Sequence, residues 1–427
     1  MRYVVVRDGQ VRAISNVAVT SAEDVVVEVP KDLDAVPSNV ILESYVVVDG
    51  KLTLAKMDKP ASEVRLALVG NWKMRCGIST YSEKLWPEVV KHVGAWRVFA
   101  ERNDASTGPL NFMGGAEFDA ADVVSCWKRG EPLQELVQTL REWKPDVVWI
   151  QHEYGLWPNA RHWLSLLSQL SDVRVIVTLH SVYHHMDKLV AEAAIPEIIV
   201  HQDGAQTLLR DVKQVPGAVH VVPHGCDDLA DPARLWNIYR SEHTFMQFGF
   251  GFRYKGWENS IRAAAILKEK YPDVFFTGLF SESPYCATEH EAYVQDLKKL
   301  IAELGVEDNV AIIRGYQSDQ SLDSYLRTNR AVVFPYVSHP AHEVYGASGA
   351  ARTAMSKGAP VITTAVRHFI DIPTIKTETA EGIAEALDKV FTDRKAWRDQ
   401  VEKQNAYVLE NSWENVGALV VRIIEEG

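Results

Sequence analysis

Short runs of predominantly apolar residues, each followed by a turn and a helix-like stretch, recur along most of this chain. One series falls at 64–69, 147–150, 173–178, 198–201 and 219–222; a second falls at 245–248, 274–279, 310–313, 331–334 and 361–364. A strand that faces water on one side alternates apolar and polar residues, whereas these runs do not alternate. Unbroken runs belong to strands covered on both faces, as in parallel sheets flanked by helices. The intervening stretches 80–93, 133–143, 161–170, 259–270, 292–304, 322–328 and 350–357 have helical periodicity. Two successive series predict two doubly wound α/β domains. In such sheets ligands bind beyond the carboxyl ends of the strands, so a cleft between two facing domains is the expected ligand site.

The first sixty residues differ. Asp8-Gly9 and Asp49-Gly50 each separate two short β-type runs, the favoured two-residue hairpin pattern. The predicted organisation is a small β-rich appendage over 1–60, a first Rossmann-like domain over 64–238 and a second over 243–400. A C-terminal helix over 401–427 is expected to pack back on the first domain. At 427 residues with 47% hydrophobic content, the chain is long enough for two large cores. The formal charge of -12 argues against a surface built to grip polyanions. Cys76, Cys126, Cys226 and Cys286 lie fifty or more residues apart, which fits reduced thiols rather than a zinc site and predicts a cytoplasmic location. No window approaches the ~20 apolar residues of a membrane span; peripheral membrane contact stays compatible with the sequence.

Polar residues cluster where the apolar runs end. Gly70 to Tyr81 follows the first run and leads into a helix, a place where backbone N–H groups attract an anion. Gln151-His152-Glu153-Tyr154 follows the second run, and Thr178-Leu179-His180-Ser181 the third. His180 and His184 have helical spacing but lack a third metal ligand. In the second series, Phe248 to Gly256 contains Arg253 and Lys255, a fork and a point charge suited to a diphosphate. Further on, His339, His342 and Glu343 stand near Pro340, which disfavours a helical metal site. Ser348-Gly349 opens a helix and offers hydroxyl and N–H donors to phosphate while also capping it.

The ordered pieces CGISTY, PDVVWIQHEYG, VIVTLHS, VVPHG, FGFRYKG, VVFPY and SKGAPVITT make 64–426 resemble family 4 glycosyltransferases, which have the GT-B fold. The resemblance implies retaining transfer of a hexose from a nucleoside-diphosphate sugar, UDP- or GDP-linked, with no obligatory metal or other cofactor. It implies that Gly77, Arg253, Lys255, Ser348 and Gly349 bind the donor diphosphate. His180 would lie near the reacting sugar, His152 and Glu153 would line the acceptor side, and Glu343 would reach the donor sugar. The chain departs from the family at one point: the two glutamates that precede the Gly-x-Pro segment are replaced by Tyr345 and Thr353. Two alternatives therefore stand beside transfer: a non-catalytic GT-B glycan-binding or assembly module, and a nucleotide-sugar epimerase on the same fold. The acceptor is open among a glycan, a lipid-linked sugar, a protein and a nucleic-acid base, including a modified DNA base. Oligomeric state is open too.

Overall fold

The computed structural model describes residues 59–102, 122–185, 195–230, 243–283, 286–338 and 343–426, together with the backbone of five strands between Tyr3 and Leu54. The chain divides into two compact units, Met1–Pro223 with Val416–Gly427, and His224–Asn415. This division lies earlier than the sequence boundary near 238–243, and only the last dozen residues join the first unit. The reason is packing. Cys226 N–H bonds Asn411 O, and helix Arg394–Glu410 buries Trp397, Val401 and Val408 in the second core.

In the first unit, strands β1 (Tyr3–Arg7), β2 (Gln10–Ser15), β3 (Val25–Glu28), β4 (Tyr45–Val48) and β5 (Lys51–Leu54) form an antiparallel sheet in the order β3-β1-β2-β4-β5. Strands β1 and β2 pair antiparallel, as do β4 and β5; the Asp-Gly dipeptides themselves lie outside the described residues. The main sheet has seven parallel strands. They are β6 (Arg65–Gly70), β7 (Ala95–Glu101), β8 (Val123–Trp127), β9 (Val147–His152), β10 (Arg174–Leu179), β11 (Glu197–Val200) and β12 (Ala218–Val221). Their order is β12-β11-β10-β9-β6-β7-β8. The chain winds outward from β6 to β8 and then resumes at β9 on the other side of β6. The strand order thus reverses between β6 and β9, and their carboxyl ends form the crevice where doubly wound sheets hold ligands. Helices α1 (Gly77–Val90), α2 (Gln134–Trp143) and α3 (Ala160–Gln169) follow β6, β8 and β9. Every residue of β9 and β10 is buried, as the apolar runs require.

Strands β7 and β8 do not stand out in the sequence. Arg97 and Glu101 interrupt the apolar pattern of β7, and Ser125 that of β8. Both strands hold because Glu101 is paired inside the fold, as described below.

The second unit has six parallel strands. These are β13 (Thr244–Phe250), β14 (Phe275–Ser281), β15 (Val310–Arg314), β16 (Ala331–Phe334), β17 (Val361–Thr364) and β18 (Ile375–Thr377), in the order β15-β14-β13-β16-β17-β18. Its reversal lies between β13 and β16. Helices α4 (Trp257–Lys268), α5 (Ala287–Leu304), α6 (Asp319–Thr328), α7 (Gly349–Ser356), α8 (Ala380–Thr392) and α9 (Arg394–Glu410) cover the sheet. Helix α10 (Trp413–Glu426) ends the chain. Its terminal carbonyls are tied to the first unit, where Arg174 donates to Ile423 O and Ile424 O at 2.6 Å each. Among the described residues, no helix is long and apolar enough to cross a membrane.

One turn fixes how β13 leaves the second sheet. After a short 3-10 turn at Arg253–Lys255, Gly256 adopts φ +67° and begins α4. A Cβ there would stand 1.9 Å from Pro335 O, beside the end of β16. No side chain fits, and the left-handed conformation strains other residues as well. Gly256→Ala is expected to lower unfolding free energy by roughly 2–3 kcal/mol, read from urea denaturation.

Candidate functional site

Each unit presents polar side chains at its own strand reversal, and the two sets differ in chemistry.

In the second unit the set is built around a lysine. Lys255 follows β13, Tyr336 follows β16, and Ser348 caps α7. The Lys255 ammonium donates to the Tyr336 hydroxyl and lies 3.9 Å from the centre of its ring. The Tyr336 hydroxyl lies 3.4 Å from Ser348 Oγ, which also accepts from Ala351 N–H at 3.3 Å. Burial lowers the Lys255 pKa and raises that of Tyr336. Tyr254 and His368 complete the surround, with ring centres 6.2 Å apart and nearly parallel planes. Burial, then the neighbouring Lys255 charge, pushes the His368 pKa down to about 3.

The first turn of α7 adds the positive end of a helix dipole. Gly349 lets His224 lie against that turn: a Cβ at 349 would be 3.2 Å from His224 Nε2. Behind it lies Arg352, whose side chain is 1% exposed. It donates to His224 O at 3.2 Å, Ser348 O at 3.3 Å and the Tyr407 hydroxyl at 3.1 Å, and it pairs with Asp371. A single guanidinium thus fixes the backbone at both His224 and Ser348.

The structure brings Lys255, Ser348 and Gly349 together, but Arg253 goes elsewhere. Its guanidinium pairs with Asp296 and lies 4.5 Å over the Tyr293 ring, both on α5, and it stays largely exposed. Glu343 forms an exposed pair with Arg367 at 2.5 Å. His339 and His342 lie outside the described residues. At the two positions where the resemblance expects glutamates, Tyr345 lies under the Arg367 guanidinium at 5.2 Å and Thr353 donates to Asp227 at 3.2 Å.

In the first unit, Gly77 opens α1 with open space around it, and Cys76 caps the helix by accepting from Ser79 N–H at 3.3 Å. Burial pushes the Cys76 thiol up to about 11, so it stays protonated at neutral pH. The loop ahead of the cap is anchored by a buried carboxylate. Glu101 accepts from Asn71 at 2.9 Å and from the Arg129 guanidinium at 2.6 and 2.7 Å. On β9 and β10, His180 Nε2 lies 2.9 Å from Gln151 Oε1, and His180 Nδ1 lies 3.3 Å from His201 Nε2. Glu153 bonds the Tyr154 N–H at 3.1 Å, and burial raises its pKa.

His152 does not line an opening. It is fully buried between Tyr154 and Trp163, with neither ring nitrogen hydrogen-bonded, and burial pushes its pKa down to about 3. Its direction follows from strand geometry, since successive side chains point to opposite faces. Sequence reading also passed over Tyr336, His224, Arg352, Glu101, Arg129 and His201. Tyr336, His224 and His201 each stand at or just beyond a strand end, and that position is the signal that could have found them.

The comparisons with known proteins bear on this geometry. Residues 236–407 match the family model for glycosyl transferases group 1. No curated protein matches the chain in sequence. Among solved structures, HepE of Anabaena in complex with UDP and glucose superposes with a TM-score of 0.60 at 13% identity, over 85% of this chain and 99% of that one. The E. coli trehalose-6-phosphate structure bound with UDP-2-fluoro glucose gives 0.64 at 12%, over 85% and 99%. An alpha,alpha-trehalose-phosphate synthase (UDP-forming) from Burkholderia xenovorans in complex with glucose-6-phosphate gives 0.65 at 11%, over 84% and 100%. The fold is GT-B.

Two predictions follow from burial. His152 folds neutral, with a pKa of about 3 against an ordinary value of 6.5. The unfolded chain binds the proton first, so stability is full above the ordinary value and falls as pH drops from it toward about 3. The slope is about 1.4 kcal/mol per pH unit for this one group. His152→Leu should flatten the acid limb of a pH series of urea midpoints. Glu101→Gln leaves Arg129 without its carboxylate and should lower unfolding free energy by roughly 3 kcal/mol in the same assay.

Proposed function

We propose that this protein transfers a hexose from a nucleoside-diphosphate sugar to a hydroxyl acceptor with retention of configuration, and that no metal is required. The observation that carries the reading is the Lys255–Tyr336–Ser348 chain of contacts at the start of α7. It lies inside the segment that matches the glycosyl transferases group 1 model. The neighbours crystallised with UDP or a UDP-sugar support a donor of that class, with UDP or GDP as its nucleotide.

The roles follow from the chemistry. A leaving diphosphate gains negative charge as the glycosidic bond breaks. In this reading the Lys255 ammonium, the Ser348 hydroxyl and the N-terminal end of α7 stabilise that charge. Burial opposes the charge on Lys255, and an anion beside it favours the ammonium and shifts its pKa upward again. Arg352 holds the two backbone segments at fixed spacing, so little reorganisation is needed when charge develops. In this reading Lys255 is the principal cation, and Arg253 contributes through the Tyr254 turn rather than by direct contact. In the first unit, Gly77 offers a bare helix start to the donor, while His180 and Glu153 serve the reacting sugar and the acceptor. His152 supports their strand from within the core.

Nucleotide binding tests the proposal. At a free ligand concentration about a hundredfold above Kd, a true donor stabilises the folded state by about 2.7 kcal/mol. A thermal-melt series with UDP, GDP and their hexose conjugates should therefore pick out one nucleotide. Lys255→Ala should abolish that shift and cut sugar transfer at least about a hundredfold, while Arg253→Ala stays within a few-fold of wild type. No shift with any nucleoside diphosphate would reject the donor site.

A further inference from the structure

Three side chains at the carboxyl ends of β9, β10 and β11 form a line that finishes on the main chain. His201 Nδ1 lies 3.0 Å from Val222 O, His201 Nε2 lies 3.3 Å from His180 Nδ1, and His180 Nε2 lies 2.9 Å from Gln151 Oε1. The line has a direction. A carbonyl oxygen only accepts, so His201 carries its hydrogen on Nδ1. A neutral His201 then presents a bare Nε2, and the ring nitrogen opposite must be the donor. We propose that His201, fixed by the Val222 carbonyl, is a positioning residue that holds neutral His180 as its Nδ1–H tautomer. His180 Nε2 is then a hydrogen-bond acceptor.

Gln151 fits the same assignment. A bare His180 Nε2 and an amide oxygen at 2.9 Å are two acceptors and do not bond. Turning the amide end for end, which places nearly the same atoms in the same positions, directs its NH2 to the ring. That turn also gives a partner to the Gln151 NH2, which is otherwise buried without one. Tyr81 holds both rings in place. Its ring meets His180 edge to face, with centres 4.7 Å apart at 84°, and lies 5.3 Å from His201.

The consequence for chemistry rests on the sugar-transfer reading. A sugar hydroxyl that replaces the Gln151 amide at Nε2 donates its hydrogen to His180 and receives none from it. His180 therefore selects a donor sugar or acceptor that offers a hydroxyl hydrogen there, and a fluoro or deoxy sugar loses that contact. The wrong tautomer would place two hydrogens face to face.

The test is nitrogen NMR of protein labelled with 15N-histidine, at mildly alkaline pH so that exposed imidazoles are neutral, with His180 assigned by its loss in His180→Asn. Wild type should show His180 protonated at Nδ1 and bare at Nε2. His201→Leu should shift it toward the Nε2–H form, and His201→Gln, whose amide oxygen can accept, should restore the original signature. In parallel, kcat for sugar transfer should fall about tenfold in His201→Leu with little change in donor KM, and recover in His201→Gln. An Nε2–H or doubly protonated His180 in wild type would overturn the assignment, as would a signature unmoved by His201→Leu. If His201→Leu fails to fold, the wild-type signature decides alone. The expected signatures without turnover of any nucleotide sugar would uphold the tautomer and reject the transfer reading.

Discussion

A parallel strand buried on both faces has room for polar side chains only at its ends, and the chemistry of this protein is arranged around that constraint. Strand β9 is apolar until Gln151 and His152, β10 carries Thr178 near its end, and Lys255 and Tyr336 lie beyond the ends of β13 and β16. The reversal of strand order in each sheet then opens a gap between two such ends. Lys255 and Tyr336 meet across one of these gaps because β13 and β16 are neighbours. His180 and Gln151 meet near the other because β9 and β10 pair in register, with Thr178 opposite Gln151 and Leu179 opposite His152.

The two units use their gaps differently. The second sets an ammonium and a helix start beside the rings of Tyr254, Tyr336 and His368. The first gathers two imidazoles, an amide and a carboxyl whose pKa burial raises.

Much of this was legible in the sequence. The apolar runs specify the parallel strands because nothing else in a globular fold buries both faces of so short a segment. Strands β7 and β8 were hidden for the same reason in reverse: Glu101 looks like a surface residue until Arg129, about thirty positions on, supplies the counter-charge, and Arg97 until its guanidinium lies over the Trp143 ring. The site was half legible. Arg253 and Lys255 are two apart in a 3-10 turn, where each residue rotates the side-chain direction by about 120°. They therefore cannot share a target, and sequence alone does not say which of them faces Tyr336. His152 and His180 posed a similar choice. One strand end buries its histidine fully and the other leaves its histidine half-buried against Gln151 and His201, a matter of pleat and register rather than composition. His201 was unreadable as a partner of His180 because their contact depends on the pairing of β10 with β11.

Arg352 has a consequence of another kind. Its guanidinium reaches acceptors on four separate stretches of chain: the segment before Gly225, the cap of α7, the turn at Asp371 and the last helix of the second unit at Tyr407. Only a planar group with five hydrogens can satisfy so many directions at once, and an ammonium of equal charge cannot. Those four stretches have therefore lost the freedom to drift independently over evolutionary time: an insertion or shift in one of them must be matched in the other three, or the arginine must go.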